Sequence, residues 1–302
     1  MAGVLERIRR AGRPPFHTLT ATAARAAYEA GAEVLDLPRL PLVRVEDLSL
    51  PGGDGLPRPA RLYADGAGPR PGLLFLHGGG FVIGSLETHD SLCRQIARRS
   101  GFAVVALDYR LAPEHRFPAA QDDAFAALKA LAGEPARYGL AERPLAVAGD
   151  SAGGTLAAAC ALHARDIGLR LALQVLITPG TAARADSASH RLYSHGFLLD
   201  CDAIHWFFDQ TIPREQRHDW RFAPLEADVD GVAPAFVLLA ECDPLVDEGL
   251  AYADKLRAAG VPVDLELVRG VTHDFIKMGR AIPQAHTMLD AIATALKGAL
   301  AP

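Results

Sequence analysis

A serine hydroxyl attacks a carbonyl carbon well only when a base removes its proton and a third group orients that base. Gly149-Asp150-Ser151-Ala152-Gly153 offers such a serine, because it follows the apolar run Leu145 to Ala148 and opens the Ala-rich helical pattern of Thr155 to Leu162. A strand, a sharp turn and a helix in that order present the middle side chain at the top of the turn. The strained backbone needs small residues two positions to either side. The five-residue pattern alone is common, and its bland reading is a serine capping a helix behind a glycine-rich turn.

Other segments supply what a nucleophilic serine needs. His77-Gly78-Gly79-Gly80-Phe81 follows the apolar run Leu73 to Leu76, and consecutive glycines let backbone N–H groups converge on one point. Acyl transfer requires such donors for the oxyanion of its tetrahedral intermediate; Gly79, Gly80 and the amide of Ala152 are the candidates. The loop lacks the glycine and lysine spacing of the common phosphate-binding loops. His77 reads as a prop for this loop through a hydrogen bond. With a nucleophile on this kind of turn, acid and then histidine follow along the chain. Asp243 comes after the run Phe236 to Ala240, and His273 after Val263 to Val268. Asp243 is preferred to Glu241 because it lies deeper in its loop, where Pro244 can start the next helix. His163, His190, His195, His205, His218 and His286 read as structural. A neutral His273 is required for proton abstraction, so activity is expected to fall below about pH 6 to 7.

Such parts need a rigid frame. Short β-rich runs alternate with helical patterns from Gly72 onward, as in βαβ units around a mostly parallel sheet. Met288, Ile292, Leu296 and Leu300 mark the sheet-facing stripe of a last helix. The segments Leu40 to Leu50 and Arg58 to Ala64, joined by the turn-rich PGGDGLPRP, read as an antiparallel edge. Residues 1–38, helical around Thr20 to Val34, and residues 181–230, rich in large apolar side chains such as Trp206 and Phe207, read as cap segments. The catalytic core is then 39–180 and 231–302.

At 302 residues and 50% hydrophobic, the chain can bury a large core. Its net charge of −5, from 31 Lys+Arg against 36 Asp+Glu, provides no field for nucleic acid. No apolar stretch reaches the roughly 20 residues of a membrane span. The charged opening MAGVLERIRRAGRPP does not read as a signal peptide. Cys93, Cys160, Cys201 and Cys242 lie far apart and read as buried thiols in a reducing, cytoplasmic setting.

Together, HGGGF at 77–81, YRLAPEHRFPAA at 109–120, GDSAGG at 149–154, DPL at 243–245 and THDF at 272–275 resemble the bacterial hormone-sensitive-lipase-like (family IV) carboxylesterases of the α/β-hydrolase superfamily. The resemblance spans residues 72 to 300. It implies an eight-stranded, mostly parallel sheet with a helical cap, a small ester with a short acyl chain as substrate, and neither cofactor nor metal. A homodimer is a family-level expectation. The resemblance also implies that Tyr109 to Ala120 braces the site, with Arg110 and Glu114 structural, and that Phe81, Trp206 and Phe207 line the pocket. Thr155 stands where the family usually has asparagine, and Thr178-Pro179-Gly180 where it has Tyr-Pro-Val; both bear on pocket shape. Two other readings stay open: a non-catalytic small-molecule receptor on this fold, which the presence of His273 disfavours, and an amidase or acyltransferase using the same residues.

Overall fold

The computed structural model describes residues 1–300. Helices α1 (Ala2–Arg10) and α2 (Ala21–Ala32) precede strands β1 (Arg44–Pro51), β2 (Pro57–Ala64) and β3 (Gly72–Leu76). Then come α3 (Asp90–Ser100), β4 (Ala103–Leu107), α4 (Ala119–Gly133), β5 (Leu145–Asp150), α5 (Ala152–Asp166) and β6 (Leu171–Ile177). Helices α6 (Ala188–Leu192) and α7 (Cys201–Thr211) separate β6 from β7 (Ala235–Cys242). The chain continues through α8 (Val246–Ala258), β8 (Val263–Thr272) and α9 (Pro283–Gly298).

The strands form one sheet in the order β1-β2-β4-β3-β5-β6-β7-β8. β2 runs antiparallel to both β1 and β4, and every other pair is parallel. Alternation along β3 sends Leu74 and Leu76 into one apolar layer, beside Leu128 of α4, Leu156 of α5 and Tyr252 of α8. Leu73 and Phe75 enter the opposite layer with Ile96 of α3 and Ile292 of α9. Strands buried on both faces explain why β3 and β4 read as unbroken apolar runs.

Several boundaries differ from the sequence expectation for identifiable reasons. β1 begins at Arg44 rather than near Leu40 because its partner β2 ends opposite it at Ala64. β8 passes through the apparent turn at Arg269-Gly270: Gly270 takes φ +70°, its N–H donates to Glu241, and the ladder with β7 shifts register before resuming at Cys242 and Thr272. The last helix ends at Gly298, so Leu300 falls outside it. Only Cys93 and Cys160 are buried thiols. Cys201 and Cys242 are half-buried because they sit at the start of α7 and the end of β7, where the chain leaves the interior.

A third apolar cluster lies outside the two layers and joins Ala24 of α2 to Ala203 and Phe207 of α7, with Val82, Ile83 and Ala112 below them. The segment 181–230 is not uniform. Ala183, Ile212, Phe222, Ala223, Ala227 and Val229 belong to the layer of α4 and α5, and only its middle part, around Ala203 and Phe207, lies with α2. No helix among the described residues is long and apolar enough to cross a membrane.

Candidate active site

The carboxyl ends of β3, β5, β7 and β8 converge, and each delivers one part of the site. At the end of β5 the chain turns so tightly that Ser151 takes φ 54° and ψ −122°, a region unfavourable for any residue with a Cβ. Crossing points of the backbone make room for it. A Cβ on Gly153 would lie 1.9 Å from the Leu76 carbonyl oxygen, and one on Gly149 would lie 2.2 Å from that of Gly153. Glycine is therefore sterically required at both positions.

Ser151 Oγ lies 2.9 Å from His273 Nε2, and His273 Nδ1 lies 2.7 Å from Asp243 Oδ2. Asp243 Oδ1 accepts from the Leu245 N–H at 2.9 Å, which fixes the carboxylate. Glu241, the other acid in this stretch, instead accepts from Gly270 N–H in an exposed bond. Burial disfavours the His273 cation, but the charges of Asp243 and Asp274, the Asp243 hydrogen bond and the charge of Asp150 outweigh it. The imidazole is pushed up to about 9.

The glycine loop after β3 lies alongside. Gly79 and Gly80 take φ +120° and +59°, and their N–H groups donate to no described residue. The Ala152 amide opens α5, where a helix leaves its first N–H groups unpartnered. His77 is buried, with its Nδ1 2.8 Å from the Gly78 carbonyl, and burial drives its pKa down to about 3, so it is neutral. The Tyr109 ring stacks on His77 at 4.3 Å, and its hydroxyl donates to the His77 carbonyl at 2.6 Å. Arg110 pairs with Asp123, and Glu114 with Arg25 of α2. Arg25 also donates to the carbonyls of Val82 and Ala112, which pins α2 onto the glycine loop.

The aromatic candidates separate. Phe207 packs directly on the loop, since a Cβ on Gly80 would meet its ring at 2.2 Å, and Trp206 lies edge-on to Phe207 at 5.2 Å. Phe81 turns instead into the α4–α5 layer against Phe222. The two departures from the family pattern touch each other, because the Thr155 hydroxyl donates to the Gly180 carbonyl at 2.5 Å. A cavity of about 710 Å³ lies at the opposite, amino ends of β6, β7 and β8 and contains none of these residues.

Several further buried polar groups stand outside the residues expected from the sequence. Glu248 of α8 accepts from the Thr181 and Ala182 N–H groups, and burial pushes it up to about 8. His89, 1% exposed, lies 3.1 Å from Asp150, whose other oxygen accepts from Gly78 N–H. Lys277 is buried, and its Nζ donates to the Tyr28 hydroxyl at 2.8 Å. A charge inside the apolar stretch Phe275-Ile276-Lys277-Met278 was a usable signal for Lys277. His89 carries no comparable signal.

Residues 73–277 match the family described by the α/β-hydrolase fold. The chain belongs to that superfamily, within the hormone-sensitive-lipase-like carboxylesterases. Among its relatives, it is 43% identical to ethyl acetate hydrolase of Pseudomonas putida, over 94% of this chain and 92% of that one. It is also 43% identical to the carboxylic ester hydrolase LipN of Mycobacterium tuberculosis, over 85% of this chain and 70% of that one. Among solved structures, a thermostable esterase from Pseudomonas putida superposes with a TM-score of 0.94 at 33% identity, covering 99% of this chain and 96% of the other.

Proposed function

We propose that this chain hydrolyses small, short-chain carboxylic esters by acyl transfer through Ser151, with His273 as base and Asp243 orienting it. The supporting observation is the continuous contact from hydroxyl to imidazole to carboxylate, at 2.9 and 2.7 Å. With Nδ1–H donated to Asp243, Nε2 is free to accept the serine proton. Oγ then bonds to the carbonyl carbon, and the carbonyl oxygen becomes the oxyanion that the amides of Gly79, Gly80 and Ala152 stabilise. The imidazolium gives its proton to the departing alcohol. A water, deprotonated by the same nitrogen, releases the acid and restores Ser151.

In this reading, residues 1–38 and the helical part of 181–230 form a cap over the site, with Trp206 and Phe207 bordering the acyl pocket. Contact of Phe207 with the glycine loop supports this, whereas Phe81 faces the core. A cytoplasmic setting is supported by four free thiols. A homodimer is supported by the open edge of β8, where Leu267 is 42% exposed.

The test is turnover of p-nitrophenyl esters of increasing chain length, with the matching anilides alongside. Efficient hydrolysis of short esters is expected, with longer chains and amides slower. Ser151→Ala should lower kcat by a factor on the order of 10⁴ to 10⁶. Retention of more than about a tenth of the rate would remove Ser151 from the mechanism.

A further inference from the structure

The proposed mechanism uses one carboxylate beside His273, yet the structure holds a second. Asp274 follows the base in a left-handed conformation, φ 56°, which few non-glycine residues adopt. Its Oδ1 is buried, forms no hydrogen bond among the described residues, and lies 3.7 Å from Nε2, the nitrogen that faces Ser151. An acceptor left unsatisfied next to a nitrogen that gains a proton during the reaction calls for an explanation. Behind it lies Lys277, 6% exposed, whose Nζ donates to the Tyr28 hydroxyl of α2 at 2.8 Å and lies 3.3 Å from His89 Nε2.

We propose that Asp274 is a positioning residue: its carboxylate strengthens the hold of His273 Nε2 on its proton. The inference rests on the reading of His273 as base. It goes beyond that reading by assigning the control of its proton affinity to a group outside Ser151, Asp243 and His273.

The charges around the imidazole come from several elements. Asp243 follows β7, Asp150 ends β5, Glu248 comes from α8, and Asp274 comes from the turn after β8. Around Lys277 stand Tyr28 from α2, His89 before α3, Asp150, Asp274, and at longer range Asp36, His77 and Cys93. Burial opposes the Lys277 cation, but Tyr28, Asp150 and Asp274 raise its pKa above the usual lysine range. Burial raises the Asp274 pKa, and His273 and Lys277 counter it.

The experiment follows the acidic limb of kcat/KM for p-nitrophenyl butyrate in the wild type and Asp274→Asn, with thermal unfolding as a check of folding and Ser151→Ala in parallel. Asparagine matches the size of aspartate and tolerates the left-handed backbone, so Asp274→Asn is expected to fold. Loss of a negative charge this close to Nε2 is expected to move the limb to lower pH by about one unit. An unmoved or raised limb in Asp274→Asn overturns the proposal. If that happens while Ser151→Ala is inactive, only this inference fails; an active Ser151→Ala removes the mechanism and this inference together.

Discussion

His273 meets its two contacts through different nitrogens, which is what fixes a useful tautomer: Nδ1 toward Asp243 at 2.7 Å and Nε2 toward Ser151 at 2.9 Å. Three carboxylates, those of Asp243, Asp274 and Asp150, face an imidazole that burial alone would keep neutral, and the raised pKa follows from their sum. The sign for activity is direct. The base must be neutral, so the fraction of competent enzyme grows as pH rises through the His273 pKa. The acidic limb of kcat/KM is therefore expected above the ordinary imidazole range of about 6.5, towards the value of about 9, rather than at pH 6 to 7. A pH series on p-nitrophenyl butyrate checks this, and a limb centred below 6.5 would contradict the charge arrangement. At the same scale, the Thr155 hydroxyl donates to the Gly180 carbonyl at 2.5 Å, which puts the two departures from the family pattern in direct contact.

At the scale of elements, the site depends on how closely β3, β5 and α5 approach one another. The helix begins immediately at Ala152 because Gly153 and Gly154 let it settle against Leu76 and Pro179. Replacing Gly153 with Ala is expected to cost about 3 kcal/mol or more of stability, since its methyl group would press on backbone that cannot move aside. Gly133→Ala, at the end of α4 where a Cβ meets nothing within 4 Å, is the control and should not destabilise. Urea unfolding of the two variants measures the difference. Equal midpoints would mean that the elbow is looser than its geometry indicates. Helix α2 is fastened by two residues on one face, Arg25 to the glycine loop and Tyr28 to Lys277, which links the N-terminal segment to both sides of the site.

For the whole molecule, the open question of assembly turns on the ends of the sheet. β8 pairs with β7 alone among the described residues and carries half-buried Val263 and Leu265 as well as exposed Leu267. The unpaired backbone of this edge strand invites a second copy of the strand, with Asp264, Glu266 and Arg269 interleaved among its apolar residues. Light scattering after size exclusion is expected to give a dimer mass for the wild type and a monomer mass for Leu267→Asp. A wild-type monomer at tens of micromolar, or an unaffected dimer in the variant, would place the contact elsewhere or remove it.

The central strands were legible in the sequence because burial on both faces leaves continuous apolar runs, and the expected runs Leu73 to Leu76 and Leu145 to Ala148 lie within β3 and β5. The elbow and the glycine loop were also legible, because backbone crossings tolerate only glycine and so leave a local signature. Whether Asp243 or Glu241 reaches the imidazole, and which way Phe81 and Phe207 face, was decided by tertiary structure, since loop direction depends on partners far along the chain. The same holds for His89, Asp274 and Lys277. Their electrostatic effect arises from proximity between α2, α3, β5 and the turn after β8, and nothing in the spacing of residues 28, 89, 150 and 277 records that closeness.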